Sequence, residues 1–215
     1  AGVDTLRSAN DVANDISSVG WGYVDQSRYA PALFALQSLR DRMVKRTALT
    51  TLERVLMPVQ GKLRSHLVLG YVHKAYPEIY ATVAKAAGYK TILLLKGVEG
   101  GLAPALNKPL RRFYVDGELP HDINCEKQLI ESQVLFGSSP AAQGFVGGDG
   151  HVLQCLETGM AALNGCQSVA RNSLCLASAQ ILIAHEQGLN LSGAVEKVQM
   201  CLDNGSAREH FEMAI

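Results

Sequence analysis

Between residues 40 and 64 stand Arg40, Arg42, Lys45, Arg46, Arg54, Lys62 and Arg64. A row of fixed cations suits one chemistry above others: it neutralises phosphates whatever the base sequence, releasing condensed counterions as it does so. The charge of the whole chain is split in a way that favours this reading. Residues 1–112 hold 16 Lys and Arg against 8 Asp and Glu, while residues 113–215 hold 4 against 12, so a formal net charge of zero conceals halves of +8 and −8. Such asymmetry points to a face that meets phosphate or another acidic partner. The plain alternative is a solvated helix face with no ligand. Aromatic stacking platforms near the run are sparse (Trp21, Tyr23, Tyr29, Tyr71 and Tyr76), so contacts to the nucleic-acid backbone are expected, and not readout of base sequence.

A second stretch has the form of a ligand site without its usual chemistry. Residues 90–104, KTILLLKGVEGGLAP, run from an apolar strand into a glycine turn, where open α/β sheets hold ligands. A hard cation there would need several oxygen donors, and Glu99 is the lone acid. His73 ends the preceding strand on the side of the presumed cleft. The six histidines, His66, His73, His121, His151, His185 and His210, show no metal-ligand spacing, and none pairs with a Ser or Cys as a nucleophile's base. No catalytic residue and no metal ligand is therefore assigned. The GGDG at Gly147–Gly150 has the composition of a phosphate-cradling loop, but it follows the strands instead of joining one to a helix start, and it reads as a turn. Ser138-Ser139-Pro140 is also a turn. Cys125, Cys155, Cys166, Cys175 and Cys201 are odd in number and lack a C-x-x-C pair, which argues against disulfides and a thiolate zinc site.

The elements that must position these residues follow from the apolar pattern. At 215 residues and 47% hydrophobic, the chain can bury one sizeable core. No run approaches the roughly 20 apolar residues of a membrane span, and the N-terminus lacks signal-peptide character, so a cytoplasmic location is expected. Val12 to Val19 predicts a helix capped by Asn10 or Asp11 and closed by Gly20. WGYVD predicts a short strand, and Pro31 opens a helix over Ala32 to Met43; a second amphipathic helix carries Leu49, Leu52, Val55 and Leu56. SHLVLGYV and TILLLK predict buried strands around a helix from Pro77 to Ala87 that Gly88 closes. That order is a βαβ unit with a parallel pair, and the continuous apolar runs imply a sheet covered on both faces. RRFYVDGE adds one strand. From Glu126 the pattern is mostly helical, with two or three helices from His151 to Ile215, a break at Gly188 to Ser192 and a cap at Gly205. The fold class predicted is α/β: one domain over residues 1–215, with a mixed, largely parallel sheet flanked by helices and a helical C-terminal segment.

Particular motifs narrow this further. The run YAPALFALQSLRDRMVKRTALTTLERVLMP resembles the anthranilate phosphoribosyltransferase family, the glycosyltransferase family 3 fold shared with pyrimidine nucleoside phosphorylases, whose pattern is H-P-A, a few residues, R-x-x-L-G-x-R-T and a helix ending in N-P. GYVHKAYPEIYATVAKAAGYKTILLLKGVEGG is similar to the family's next unit, and NSLCLASAQIL with AVEKVQMCLDNGSAREHFEMA to its closing helices. The resemblance spans about residues 2 to 213. It implies that Arg40 stands where the family contacts its aromatic acceptor, and it keeps Arg46-Thr47. Where the family holds magnesium with an Asp-Glu pair, the register gives Leu102 and Ala103; Glu53-Arg54 replace a Gly-Pro, and Ala30 replaces the His of H-P-A. The family's diphosphate-binding loop, of G-T-G-G-D type, and its N-terminal helical domain lie before the region that matches Ala1, so the chain resembles the back two thirds of a longer protein.

Those departures imply a divergent branch of paralogues, regarded as nucleic-acid-binding homodimers without tryptophan-pathway activity. The expectation is a sequence-independent nucleic-acid binder that uses Arg40, Arg42, Lys45, Arg46, Arg54, Lys62 and Arg64, with no cofactor and a homodimeric full-length protein. The alternative is transfer of phosphoribose from phosphoribosyl pyrophosphate to an aromatic or nucleobase acceptor, with magnesium as cofactor and with Arg40, His73 and Glu99 at the substrate. A third possibility is an inactive fragment that keeps only the fold.

Overall fold

The computed structural model describes residues 1–43, 47–98, 101–131, 135–136, 152–186 and 188–215. Lys45, Arg46, Glu99, the Ser138-Ser139-Pro140 turn and the GGDG stretch lie outside these residues.

Helix α1 spans Ala9–Val19, and its cap is Ser8, not Asn10 or Asp11. The Ser8 hydroxyl accepts from the Asp11 amide at 3.2 Å while the Asp11 carboxylate accepts from the Ser8 amide at 3.1 Å, a reciprocal capping box that satisfies two free donors. Gly20 closes the helix at φ 97°. WGYVD forms no strand. Instead the Trp21 indole donates to the carbonyl of His210 at 2.9 Å and stacks on Phe211 with centroids 5.2 Å apart, so a partner 189 residues away decides its conformation.

The continuous helix expected over Ala32 to Met43 is broken into α3 (Pro31–Phe34) and α4 (Gln37–Asp41), between α2 (Gln26–Tyr29) and α5 (Ala48–Glu53). None of these four helices buries a residue. A helix shorter than about a dozen residues depends on an apolar face packed elsewhere, and here that support is lacking.

The βαβ unit is as the apolar runs required. Strand β1 (His66–Tyr71) and strand β2 (Thr91–Lys96) flank α6 (Tyr76–Ala86) and pair in parallel from His66 opposite Thr91 to Tyr71 opposite Lys96. Gly88 follows α6 at φ 94°. Strand β3 (Leu110–Asp116) runs antiparallel to β2, and β4 (Lys127–Ile130) antiparallel to β3. The sheet is therefore mixed, in the order β1-β2-β3-β4, and its parallel pairing among the described strands is β1–β2. Strand β4 falls where the sequence pattern reads as helical. It is an exposed edge of four residues, held by its ladder to β3 and without the apolar alternation that announces a strand.

Alternate residues of the sheet face two layers, as the period of two dictates. Leu67, Leu69, Ile92, Leu94, Phe113 and Val115 pack with Tyr80, Ala81 and Ala84 of α6. Leu93, Leu95 and Leu110 pack with Leu176 and Ala177 of the opposite layer. That layer comprises α7 (Val152–Leu163), α8 (Val169–His185), α9 (Leu191–Asp203) and α10 (Ser206–Glu212), four helices where two or three were expected. Helix α8 is tied to the sheet end by Ser173 donating to the carbonyl of Pro104 at 2.6 Å, Arg112 donating to Gln180 at 2.8 Å and Tyr114 donating to the carbonyl of Ala184 at 3.1 Å. Among the described residues no helix is long and apolar enough to cross a membrane.

Candidate functional site

The C-terminal ends of β1 and β2 meet at a close crossing of backbone. The Gly97 amide donates to the carbonyl of Tyr71 at 3.2 Å, Val98 to that of Ala103 at 3.0 Å and Gly101 to that of Val98 at 3.1 Å. This fold-back sets the Gly101 carbonyl against both strands. A Cβ on Gly97 would lie 1.9 Å from that oxygen, and one on Gly70 2.3 Å, so both positions need glycine for space and not for φ.

Beside the crossing lies a cavity of about 460 Å³, walled by Lys96 from the end of β2, Lys108 just before β3, Arg111 from the start of β3, and Val72 and Leu129. None of its described lining residues is acidic. The Lys96 ammonium donates to the carbonyl of Val72 and stands 5.6 Å from the centroid of the Tyr71 ring. Burial pushes its pKa down, and the charges of Arg111, Lys108 and Lys74 push it further in the same direction, because each disfavours a further cation close by. Three basic side chains, Lys96, Lys108 and Arg111, thus converge on one concavity, and Lys74 is near enough for its charge to act on Lys96. Sequence reasoning did not single them out, since they are spread over residues 74 to 111; the available signal was a lysine at the end of an apolar strand followed by NKPLRR.

The described members of the basic run of residues 40–64 are not gathered into one surface. Arg40 is paired with Glu53 and also donates to Gln37; the paired side chains are only 16% and 11% exposed. Arg54 donates to the Tyr80 hydroxyl at 2.9 Å and to the carbonyl of Gly70 at 2.8 Å, with its guanidinium 5.3 Å from the Tyr80 centroid. It therefore locks α6 to β1. Arg42 is exposed and donates from Nε to the carbonyl of Ser38 at 3.2 Å. Lys62 and Arg64 are exposed before β1, at the opposite end of the strand from the Gly70 carbonyl that Arg54 holds. They border a groove of about 420 Å³ with Lys85 and Lys90. His73 is exposed, 5.8 Å from the Tyr76 ring, and does not line the cavity at Lys96.

At the same end as Lys62, His66 and His185 meet edge to face with centroids 4.5 Å apart, and the His66 Nδ1 is 2.5 Å from the Thr91 hydroxyl. Burial, His185 and Arg64 lower the His66 pKa, against an upward pull from Asp116. Among the described residues no group of three or more His, Cys, Asp or Glu is placed to hold a metal ion.

No protein-family model matches the chain. A curated relative, an uncharacterized protein of Aquifex aeolicus (strain VF5), is 34% identical over 122 residues, covering 51% of this chain and 38% of the relative. Among solved structures, the anthranilate phosphoribosyltransferase of Thermus thermophilus superposes with a TM-score of 0.74 at 18% identity, over 99% of this chain and 60% of that one. A variant of the enzyme from Saccharomyces cerevisiae with Mg bound gives 0.73 at 14% identity, over 94% and 57%. The chain thus spans about three fifths of those structures' length and less of the curated relative. Across that span, it has the α/β fold of the anthranilate phosphoribosyltransferases.

Proposed function

We propose that this chain binds nucleic acid through its phosphates without reading base sequence, and that its main contact surface is the cationic concavity at the C-terminal ends of β1 and β2. The observation that carries this reading is the convergence of Lys96, Lys108 and Arg111 on one cavity, with Lys74 beside it. Fixed cations around a concave site raise the local concentration of polyanion and displace its counterions. Exposed Arg42, Lys62 and Arg64 supply weaker contacts elsewhere on the surface. At the register where the resemblance implies a magnesium pair stand Leu102 and Ala103. Ala103 is buried, at 7% exposure, and neither side chain offers an oxygen, which favours binding over magnesium-assisted transfer.

The test is fluorescence anisotropy of a labelled single-stranded oligonucleotide at about 50 and about 200 mM salt, where a multi-phosphate contact loses orders of magnitude in affinity. Replacing Lys74, Lys108 and Arg111 together by Ala is expected to flatten the logarithmic salt slope by about 2, at roughly 0.7 per lost phosphate contact on a single strand. Absence of binding at low salt, or an unchanged slope in the triple variant, overturns the reading.

A second reading is phosphoribosyl transfer from phosphoribosyl pyrophosphate to an aromatic or nucleobase acceptor, favoured by the fold shared with enzymes of that name. In it the same cations would hold the diphosphate, with magnesium as cofactor. Arg40, as placed here on Glu53, would have to leave that carboxylate to reach an acceptor. Release of pyrophosphate by the full-length protein, given phosphoribosyl pyrophosphate and candidate acceptors, would favour this reading. A homodimer belongs to the same proposals and is tested by the mass of the protein in solution.

A further inference from the structure

Lys96 differs from the other cations of the cavity. Its amine is held by the Val72 carbonyl and lies over the Tyr71 ring, at the floor where β1 and β2 end. A neutral lysine amine can keep one N–H on a carbonyl while directing its lone pair elsewhere. Positive charge on one wall of the cavity, from Lys108 and Arg111, with Lys74 nearby, favours that neutral form and also retains an anionic group on an arriving molecule. A partly buried lysine beside other cations is the arrangement that makes the amine a nucleophile toward carbonyl carbon. The cavity of about 460 Å³ is within the size range of small-molecule sites.

We propose that Lys96 is a covalent capture site for aldehydes that carry or adjoin a phosphate. The Nζ lone pair attacks the aldehyde carbon, and the carbonyl π pair moves to oxygen, which takes a proton to give a carbinolamine. The carbinolamine then expels its hydroxyl as water, the second amine proton leaves to solvent, and a neutral imine remains. No electron donor or acceptor is needed. Phosphate oxygens meet Lys108 and Arg111, which fix the carbonyl over Nζ. Two sources present this chemistry: a small phosphorylated aldehyde, and the ring-opened sugar of an abasic position in a nucleic acid, where the aldehyde lies between phosphodiesters. The inference shares its cavity with the proposed nucleic-acid contact but does not require it.

The experiment incubates the chain with glycolaldehyde phosphate, and separately with an abasic single-stranded oligonucleotide, in the presence of cyanoborohydride. The hydride reduces any imine to a stable secondary amine, which peptide mass spectrometry then locates. Modification concentrated on Lys96 with either probe, and lost in Lys96→Arg but retained in Lys197→Arg, supports the proposal. The arm that reacts identifies the source. Lys96→Arg preserves charge and a donor for Val72, so circular dichroism should match the parent while trapping disappears. Modification spread over exposed lysines and unchanged by Lys96→Arg, or no modification by either probe, overturns it. Failure of the nucleic-acid reading would show separately, as no anisotropy change with intact oligonucleotide.

Discussion

The two ends of the β1–β2 pair are both rich in lysine and arginine, yet they are built differently. At the N-terminal end Lys62, Arg64 and Lys90 are exposed, while the Lys85 ammonium donates to the carbonyls of its own chain at Lys90 and Tyr89, 2.6 and 3.3 Å away. At the C-terminal end a glycine crossing forms a floor, and Lys96, Lys108 and Arg111 wall one cavity. The difference teaches that convergence, and not charge count, separates a candidate site from a solvated surface. Exposed cations spread over a convex surface are screened within roughly 10 Å at moderate salt. Cations sharing a concave, partly desolvated site act on one ligand together.

The sharpest way to break this comparison is at the crossing itself. Gly97→Val would drive a side chain into the Gly101 carbonyl and is expected to cost about 3 kcal/mol, at the upper end of overpacking penalties; urea unfolding reads it. An unchanged midpoint would mean that the crossing is not a fixed floor. Next in size are the arginines that serve the fold. Arg54→Ala leaves the Gly70 carbonyl and the Tyr80 hydroxyl without this donor and is expected to destabilise by about 2 kcal/mol, while the salt slope of oligonucleotide binding stays at the parent value. A flattened slope would return Arg54 to the contact surface.

Smaller still is the effect of removing charge at the other end. Lys62→Ala with Arg64→Ala should change stability by less than about 0.5 kcal/mol, and should flatten the salt slope less than the triple replacement of Lys74, Lys108 and Arg111. An equal or greater flattening would reverse the ranking of the two ends.

The smallest effect expected is the pH response of His66. Its pKa in the folded chain is lowered by burial first, then by His185 and Arg64, so the unfolded chain takes up the proton more readily. Above the unfolded value, about 6.5, the residue has no effect on stability; as the pH falls through that value the fold loses stability, with the full penalty reached below the folded pKa. Urea midpoints between pH 8 and pH 5 (about three units, spanning the reference value) should fall for the parent and fall less for His66→Gln. Parallel curves would remove the histidine contact from consideration.

How much was legible beforehand can be judged residue by residue. TILLLK and SHLVLGYV announced β1 and β2 because a strand covered on both faces must be apolar throughout, and Gly88 and Gly20 marked helix ends because each takes a positive φ. The candidate site was half legible: the glycine turn after β2 was recognised as the ligand end of the sheet, but not the cations that surround it. Lys108 and Arg111 are brought to Lys96 by the antiparallel return of β3 along β2, a pairing that no local pattern encodes.

The sequence alone determined the periodic elements and the charge halves, because these depend on neighbours a few positions apart. Only the tertiary structure decided which cations are available. Arg40 and Arg54 looked equivalent to Lys62 and Arg64 in the sequence. Burial against Glu53, Tyr80 and the Gly70 carbonyl uses their hydrogen bonds internally, since a desolvated guanidinium must be satisfied where it lies. Trp21 and His66 find partners 189 and 119 positions away, and contacts at that separation exist only once the chain has closed around its sheet.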